Sequence, residues 1–482
     1  MMPTADQATL SARMADFLAA DHRVAPDDPL CAAGKRAILD TLGVMISGLN
    51  DPLADILMED AADQAGRAEV PLPQEQGAAR VPARAAALIF GTLGHVDDWD
   101  DSQVTVNPAH RYGLLMHPSA PILGALLALA GRRATSGTPL DGARFLRAYA
   151  VGTEICCKLA EWSAPALYER GFQSTAVWGG VGAAAACAHA EGLDRATAAH
   201  ALGIASTRAA GLRVQYGTRI KAMHAGFGAQ VGVLAVDLAR RGVNANLGSF
   251  DGDWGLPTVL GGAAPQIGDG AFGNPWTLVD PGLSVKPYPS GMLTHQTMDA
   301  LHDLMRAHDL SATEIASITV TAGRNITQAI DYPRAATPLE AKFCMPALLA
   351  MIALKRQAGA AEFRQDFIDS DAFRDMQARI RLEHDPKIDL QGFDRIRSHV
   401  AVRLHDGRTL AQEADTRYRG GPERPLTEAE LLQKVVAAAA GRLDPQHCDA
   451  LAECVAGLGA EADAGCLLEW LITAGAAGRN RH

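Results

Sequence analysis

Between two apolar helical stretches, Pro82–Thr92 and Ala120–Leu129, the chain places Gly94-His-Val-Asp-Asp-Trp-Asp-Asp-Ser102, four carboxylates in five positions. His117-Pro-Ser119 follows soon after. Ionised Asp side chains between buried helices cost on the order of several kcal/mol each unless they are paired, coordinated or used. Any fold of this chain must therefore bring cations or hydrogen-bond donors to that stretch. We read it as a site rather than as a solvated helix-capping loop.

With 482 residues the chain exceeds one ordinary core, so two domains are expected. A net charge of −11 and the lack of any basic run argue against a nucleic-acid partner. A local group of Lys and Arg can still oppose that sign and hold a small anion. None of the eight Cys forms a CxxC pair, and several lie in apolar helical text, so they read as reduced core residues. The start, Met1-Met-Pro-Thr-Ala-Asp-Gln, has no basic segment followed by an apolar one, and the Ala-rich apolar runs are interrupted before about 18 residues. A cytoplasmic protein without signal peptide or membrane span is the expectation.

From Leu10 to about Arg241 the text is mostly helical, beginning with a broad apolar stripe over Ala32–Leu49. Further helices are predicted near 82–96, 119–131, 140–161, 174–190, 195–210 and 221–241. Gly179, Gly180 and Gly182, with the alanines around them, suit close helix packing. Gly180-Val-Gly182-Ala-Ala-Ala185 also fits a loose dinucleotide fingerprint, but that motif needs a strand before its first Gly and helical text precedes it. A nicotinamide or flavin fold is rejected.

The Gly, Pro and Asp content of Gly268–Pro287 reads as a domain junction, with a hinge near 270–287. Beyond it, helices are predicted at 292–308 and 338–356. Strands are predicted at Ile315–Val320, Arg379–Leu382 and Ser398–Leu404, the last meeting Asp406-Gly407, a type I′ hairpin signal. After Arg424-Pro425 the chain returns to helix, with Thr427 as N-cap and Glu430 three residues on. The fold expected is mainly α: a large all-helical domain formed by both chain ends (1–275 and 416–482) and a smaller α+β lid (276–415).

Chemistry-bearing residues gather in Asp97–Ser102, His117-Pro-Ser119, Gly217–Gly226 and Ser284–His295. Lys221 and His224, three apart, share one helical face. Lys286 sits beside a rigid Pro-Tyr-Pro turn that fixes where its ammonium points. Together with Asp98 and His117 they suit proton transfer next to a carboxylate. Lysines neutralise the substrate and stabilise enolate-like charge, while His or Asp moves the proton. Neither metal nor cofactor is required for that.

These residues resemble the MmgE/PrpD family of 2-methylcitrate dehydratases and cis-aconitate decarboxylases. The resemblance rests on Ala33–Gly43, Asp98-Trp-Asp-Asp-Ser102, His117-Pro-Ser119, Ala201–Ser206 with Gly211-Leu212, Lys221-Ala-Met-His-Ala-Gly226, Lys286-Pro-Tyr-Pro with Thr294-His295, and Arg419–Pro425. They occur in the family's order and cover nearly the whole chain. The resemblance implies a cleft between the helical domain and the lid, a homodimer, and catalytic positions at Asp98, Ser102 (where the family usually has Thr), His117, Lys221 and Lys286. Gln173 stands where the family has His, and Met345 where it has Tyr. Gln173 cannot shuttle a proton and Met345 cannot donate a hydrogen bond. The segment Gln103–Met116 is longer than the family's, and its His110 and Arg111 are expected to enter the cleft. Gln173, His224, His110, Arg111, Met345 and Tyr288 are the candidate substrate contacts.

The reading is a cofactor-independent lyase for a small di- or tricarboxylate, first a dehydratase of the 2-methylcitrate type. The alternatives are an epimerase resembling iminodisuccinate epimerase, a cis-aconitate-type decarboxylase, and a family member that only binds. Asp97-Asp-Trp-Asp-Asp101 also satisfies the DDxxD pattern of prenyl diphosphate enzymes, but no second metal motif accompanies it and aromatics are only 5% of the chain. An iron–sulfur dehydratase lacks suitably grouped cysteines.

Overall fold

The computed structural model describes residues 9–479 apart from 23–24, 26–27, 65, 75–78, 105–113, 165, 262–271, 331 and 393–394. It is mainly α with a smaller α+β part. Asp and Pro set many of the helix starts. Asp28 accepts from the Leu30 N–H ahead of α1 (Pro29–Gly48), whose Pro29 needs no N–H partner. Pro82 precedes α2 (Ala83–Leu93), and α3 (Ser119–Thr135) begins two residues after His117. Asp141 accepts from the Arg144 N–H to open α4 (Gly142–Ser163). Then come α5 (Ser174–Glu191) and α6 (Arg219–Arg240).

Helix α6 packs on α2, α3 and α5, and α5 on α4. Small residues set how closely these helices approach. A Cβ on Gly91 of α2 would lie 2.8 Å from the Ala225 carbonyl oxygen of α6, and one on Gly182 of α5 would lie 2.7 Å from the Cys156 Cβ of α4. Gly180 and Gly182 lie inside α5 rather than in a strand–helix turn. By length and composition α6 could cross a membrane, yet most of it is buried in this helical core.

Two antiparallel strands, β1 (Gln103–Val104) and β2 (Leu114–Met116), bracket residues 105–113. The junction beyond 271 is anchored rather than loose, because buried Glu154 of α4 accepts the Gly273 and Thr277 N–H groups at 2.8 and 2.7 Å. Next come α7 (His295–Ala307), β3 (Ile315–Ala322), α8 (Met345–Lys355), β4 (Ile380–His384), β5 (Ser398–Leu404) and β6 (Thr409–Glu413). The sheet runs β4-β3-β5-β6, with β3 and β4 parallel and the other pairs antiparallel. Val320 faces Val400 and Ile318 faces Val402, so the alternating residues of β5 turn one face into a second core with α7 and α8.

Three local expectations need correction. The turn after β5 is a three-residue loop, His405–Gly407, closed by Gly407 N–H to the Leu404 carbonyl. Gly407 has φ 91 while Asp406 is not in the left-handed region, so the type I′ geometry, which needs both, is absent. The helix predicted over 338–356 is broken into Pro338–Ala341 and α8, with Cys344 extended (φ −124, ψ 103) between them; Pro346, in the first turn of α8, has no N–H to continue the ladder back to Lys342. Of the cysteines, Cys31, Cys454 and Cys466 are half-buried rather than core.

Thr427 and Glu430 form the capping box of α9 (Glu428–Ala438), which packs on α1. The first core accordingly joins residues from Leu10 onward with Leu426–Ala474, and the second runs from Tyr288 to Tyr418 with Val104 added.

Replacing Gly91 by Val should lower stability by about 1–3 kcal/mol through overpacking of α2 against α6, read as a lower melting temperature. Gly359→Ala, whose Cβ would have 3.6 Å of clearance, should leave it nearly unchanged. Equal melting temperatures for both variants would contradict this account of the helix contact.

Candidate active site

Helix α2 ends at Leu93, and the chain turns so that the Asp98 N–H bonds to the His95 carbonyl. Asp98 has φ 54, a left-handed conformation that Asp adopts more readily than most residues. Its Oδ1 receives Lys221 Nζ from the first turn of α6 at 2.5 Å and Lys286 Nζ at 2.9 Å. Lys286 also donates to the Asp98 carbonyl oxygen at 2.8 Å. All three side chains are buried. Burial alone would raise the Asp98 pKa, but Lys221, Lys286 and the nearby imidazoles outweigh it and hold the carboxyl well below the usual range. Burial, with Lys286 adding to it, lowers the Lys221 pKa against the pull of Asp98.

Asp98 and Lys221 line a cavity of about 600 Å³ between the helical core and the α+β part, together with Asp97, Arg219, Lys342 and Phe343. The Phe343 ring centroid lies 5.8 Å from Lys221 Nζ, giving the ammonium an aromatic wall.

His117, Ser102 and Lys286 are buried and do not line this cavity. His117 Nδ1 is 2.9 Å from the Asp101 carbonyl oxygen and 3.0 Å from Ser102 Oγ. A carbonyl only accepts, so Nδ1 carries the proton and Nε2 keeps its lone pair. Ser102 Oγ then also accepts from Nδ1, and its own hydroxyl proton remains to be donated. Burial and then Lys286 press the His117 pKa well below its ordinary value, so the ring is neutral near pH 7. His95, stacked obliquely on His117 with centroids 4.9 Å apart, donates Nδ1–H to Asp100 at 2.8 Å. His95, Asp100 and His117 also place one ligating atom each within 4.8 Å of one another, so a cation could be held there. The His95–Asp100 hydrogen bond and those of His117 to the Asp101 carbonyl and Ser102 account for the arrangement without one.

The other candidates divide. Gln173 Oε1 accepts from His224 Nδ1, and burial followed by His95 and Lys221 lowers the His224 pKa to about 4. This pair borders a second cavity of about 450 Å³ through His224, not the Asp98 cavity. Met345 and Tyr288 are placed elsewhere. Met345 opens α8 and is fully buried in the second core. The Tyr288 hydroxyl donates to Asp299 at 2.7 Å, inside the α+β part. His110 and Arg111 lie outside the described residues.

Sequence reasoning missed two lysines. Lys342, at the helix break, donates to the Asp97 carbonyl oxygen and Oδ1 at 2.6 and 3.1 Å. Lys434 of α9 donates to the Trp99 carbonyl at 2.8 Å and pairs with buried Asp40 at 2.5 Å. The Lys434 signal was available, since Lys434 shares the apolar face of α9 with Leu431 and Val435. Lys342 gave none, because it lies in a break between Pro338–Ala341 and α8 where the sequence predicts continuous helix.

Residues 12–266 match the MmgE/PrpD N-terminal domain and residues 288–459 the MmgE/PrpD C-terminal domain. The chain is 26% identical over 437 residues to a cis-aconitate decarboxylase of Homo sapiens, covering 89% of this chain and 88% of that protein. A cis-aconitate decarboxylase of Mus musculus is 26% identical over 84% of this chain and 82% of its own length. One from Aspergillus terreus is 24% identical over 74% and 76%.

Behind the site, Asp101 bonds to Ser119 Oγ at 2.5 Å, and burial, with Asp40 and Asp100 nearby, pushes its pKa up to about 8. The folded chain therefore keeps a proton that the unfolded chain releases near the ordinary carboxyl value. This contribution to stability falls as pH rises toward about 8 and is gone above it. Between about pH 6 and about pH 8 the melting temperature of the natural protein should drop more steeply than that of Asp101→Asn. Parallel curves would show Asp101 to be ionised throughout.

Proposed function

The chain belongs to the MmgE/PrpD family, and from that premise we propose that it is a lyase acting on a small di- or tricarboxylate by proton abstraction beside a carboxylate. The observation that carries the reading is one buried Asp98 facing two ammonium groups. Asp98 is shared between two ammoniums, so Lys221, the one in the cavity wall, is incompletely neutralised and can take a substrate carboxylate. Lys221 has a single acceptor among the described residues, so its remaining N–H donors can meet substrate.

Substrate enters with a carboxylate on Lys221. Asp98, held far below the usual carboxylate range, is a weak base whose part is to fix both ammoniums. His117 Nε2 takes the α-proton, and the incoming negative charge raises its basicity just when a base is needed. Charge building on the enolate is stabilised by the lysines. Ser102 hands its hydroxyl proton to the departing hydroxyl and regains one from Nδ1 of the His117 imidazolium, so water leaves and both side chains end neutral.

Dehydration of the 2-methylcitrate type is the first reading, since loss of water needs no proton relay through Gln173. Decarboxylation is the second, favoured by the names of the curated relatives. Proton NMR of citrate-, 2-methylcitrate- and cis-aconitate-type acids in deuterium oxide separates them. Elimination marks a hydro-lyase, carbon dioxide release a decarboxylase, and exchange alone an epimerase. Lys286→Met should lower kcat by about 10²–10³-fold, the range for losing one donor at a developing anion. No turnover and no exchange with any of these acids would overturn the proposal.

We also propose a homodimer. Support comes from Leu212, Val214, Ile220 and Phe227, large apolar side chains left exposed around the start of α6. Light scattering should give twice the chain mass of 50.7 kDa, and a monomeric mass would refute it.

A further inference from the structure

We infer that Lys342 receives the substrate carboxylate remote from the reacting centre, and that Asp97 occupies Lys342 until substrate arrives. This rests on the carboxylate reading above and adds a specificity-determining residue to it.

Asp97 and Asp98 are neighbours whose side chains go to different partners. Asp98 is held by Lys221 and Lys286, while Asp97 is held by Lys342 at 3.1 Å and by Ser47 Oγ at 2.6 Å. The cavity runs along this pair and is lined by both Lys221 and Lys342. A ligand bound at Lys221 and lying across the Asp97–Asp98 edge therefore meets Lys342 next.

Lys342 suits that task. The capping box of Thr337 and Glu340 fixes the short helix just before it, and its own ammonium lies 5.5 Å from the Phe363 ring centroid. An ammonium has three N–H donors, and two of them go to the Asp97 carbonyl and Oδ1. The third is unassigned among the described residues. The Asp97 side chain is about a quarter exposed, whereas Asp98 is closed off. Asp97 can therefore release Lys342 while keeping the Ser47 hydroxyl and solvent as hydrogen-bond donors.

The other cations of the cavity are less suited. Arg219 is half-exposed and stands 3.5 Å from Asp51, and Arg364 is exposed and bound to Asp366. Among the described cations of the cavity other than Lys221, Lys342 is the one that is buried, and its partner Asp97 adjoins Asp98. A monocarboxylate can satisfy Lys221 without it, and a di- or tricarboxylate gains from both.

The test uses tricarballylate, a tricarboxylate with neither hydroxyl nor double bond to eliminate, and propionate as the monocarboxylate, with binding measured by calorimetry on the full chain. Lys342→Met should weaken tricarballylate tenfold or more and leave propionate unchanged. Lys342→Arg should keep most of the affinity. Asp97→Asn, which removes the competing anion, should tighten tricarballylate several-fold. With a reacting substrate the loss in Lys342→Met should fall in KM rather than kcat. If the natural protein binds tricarballylate and Lys342→Met binds it equally well, or loses both ligands alike, the role of Lys342 is refuted while the carboxylate reading stands. If the natural protein does not bind tricarballylate at all, both fail.

Discussion

One buried carboxylate between two buried ammonium groups governs this structure. Asp98, Lys221 and Lys286 come from three distant stretches and meet at a single oxygen. Removing three charges from water is costly, and only mutual neutralisation makes it tolerable. Each partner therefore fixes the other two, and the elements that carry them have little freedom. The remaining positive charge is what gives the arrangement a use.

The acidic turn is held from several directions at once. Lys221 reaches it from α6, set close to α2 by the contact at Gly91. Lys286 and Lys342 arrive from the chain beyond the junction, and Lys434 arrives from the C-terminal α9. Ser102 and Ser284 exchange backbone hydrogen bonds of 2.9 and 2.8 Å, tying the same turn to the strand-like segment before Lys286. Helical core, α+β part and C-terminal helices thus converge on residues 97–102. The carboxylates that look excessive in the sequence are each answered: Asp97 by Lys342 and Ser47, Asp98 by its two lysines, Asp100 by His95, and Asp101 by Ser119 and a retained proton.

Much of this was legible beforehand. Helix positions followed from apolar periodicity, with Thr427 and Glu430 marking the start of α9, and β5 followed from the Ser398–Leu404 run that meets Asp406-Gly407. The demand that the acidic stretch find partners was legible too, and Lys221 and Lys286 were named from their rigid or helical settings. What escaped was decided by single local events. A break at residues 342–344 interrupted a predicted helix at Lys342, which meets Asp97, and one extra residue changed the turn at Gly407. Buried packing took Met345 and an Asp299 hydrogen bond took Tyr288 away from the cavity. Sequence spacing carries no record of which side of a helix break faces a cleft.

The central claim is that Asp98, Lys221, Lys286 and His117 form one anion-binding crevice. The most direct measurement is a crystal structure of the protein with tricarballylate bound. The account predicts one carboxylate within hydrogen-bond distance of Lys221 Nζ, with the adjacent carbon facing His117 Nε2. A ligand seated elsewhere, with Asp98 and its two lysines still closed on one another, would contradict it.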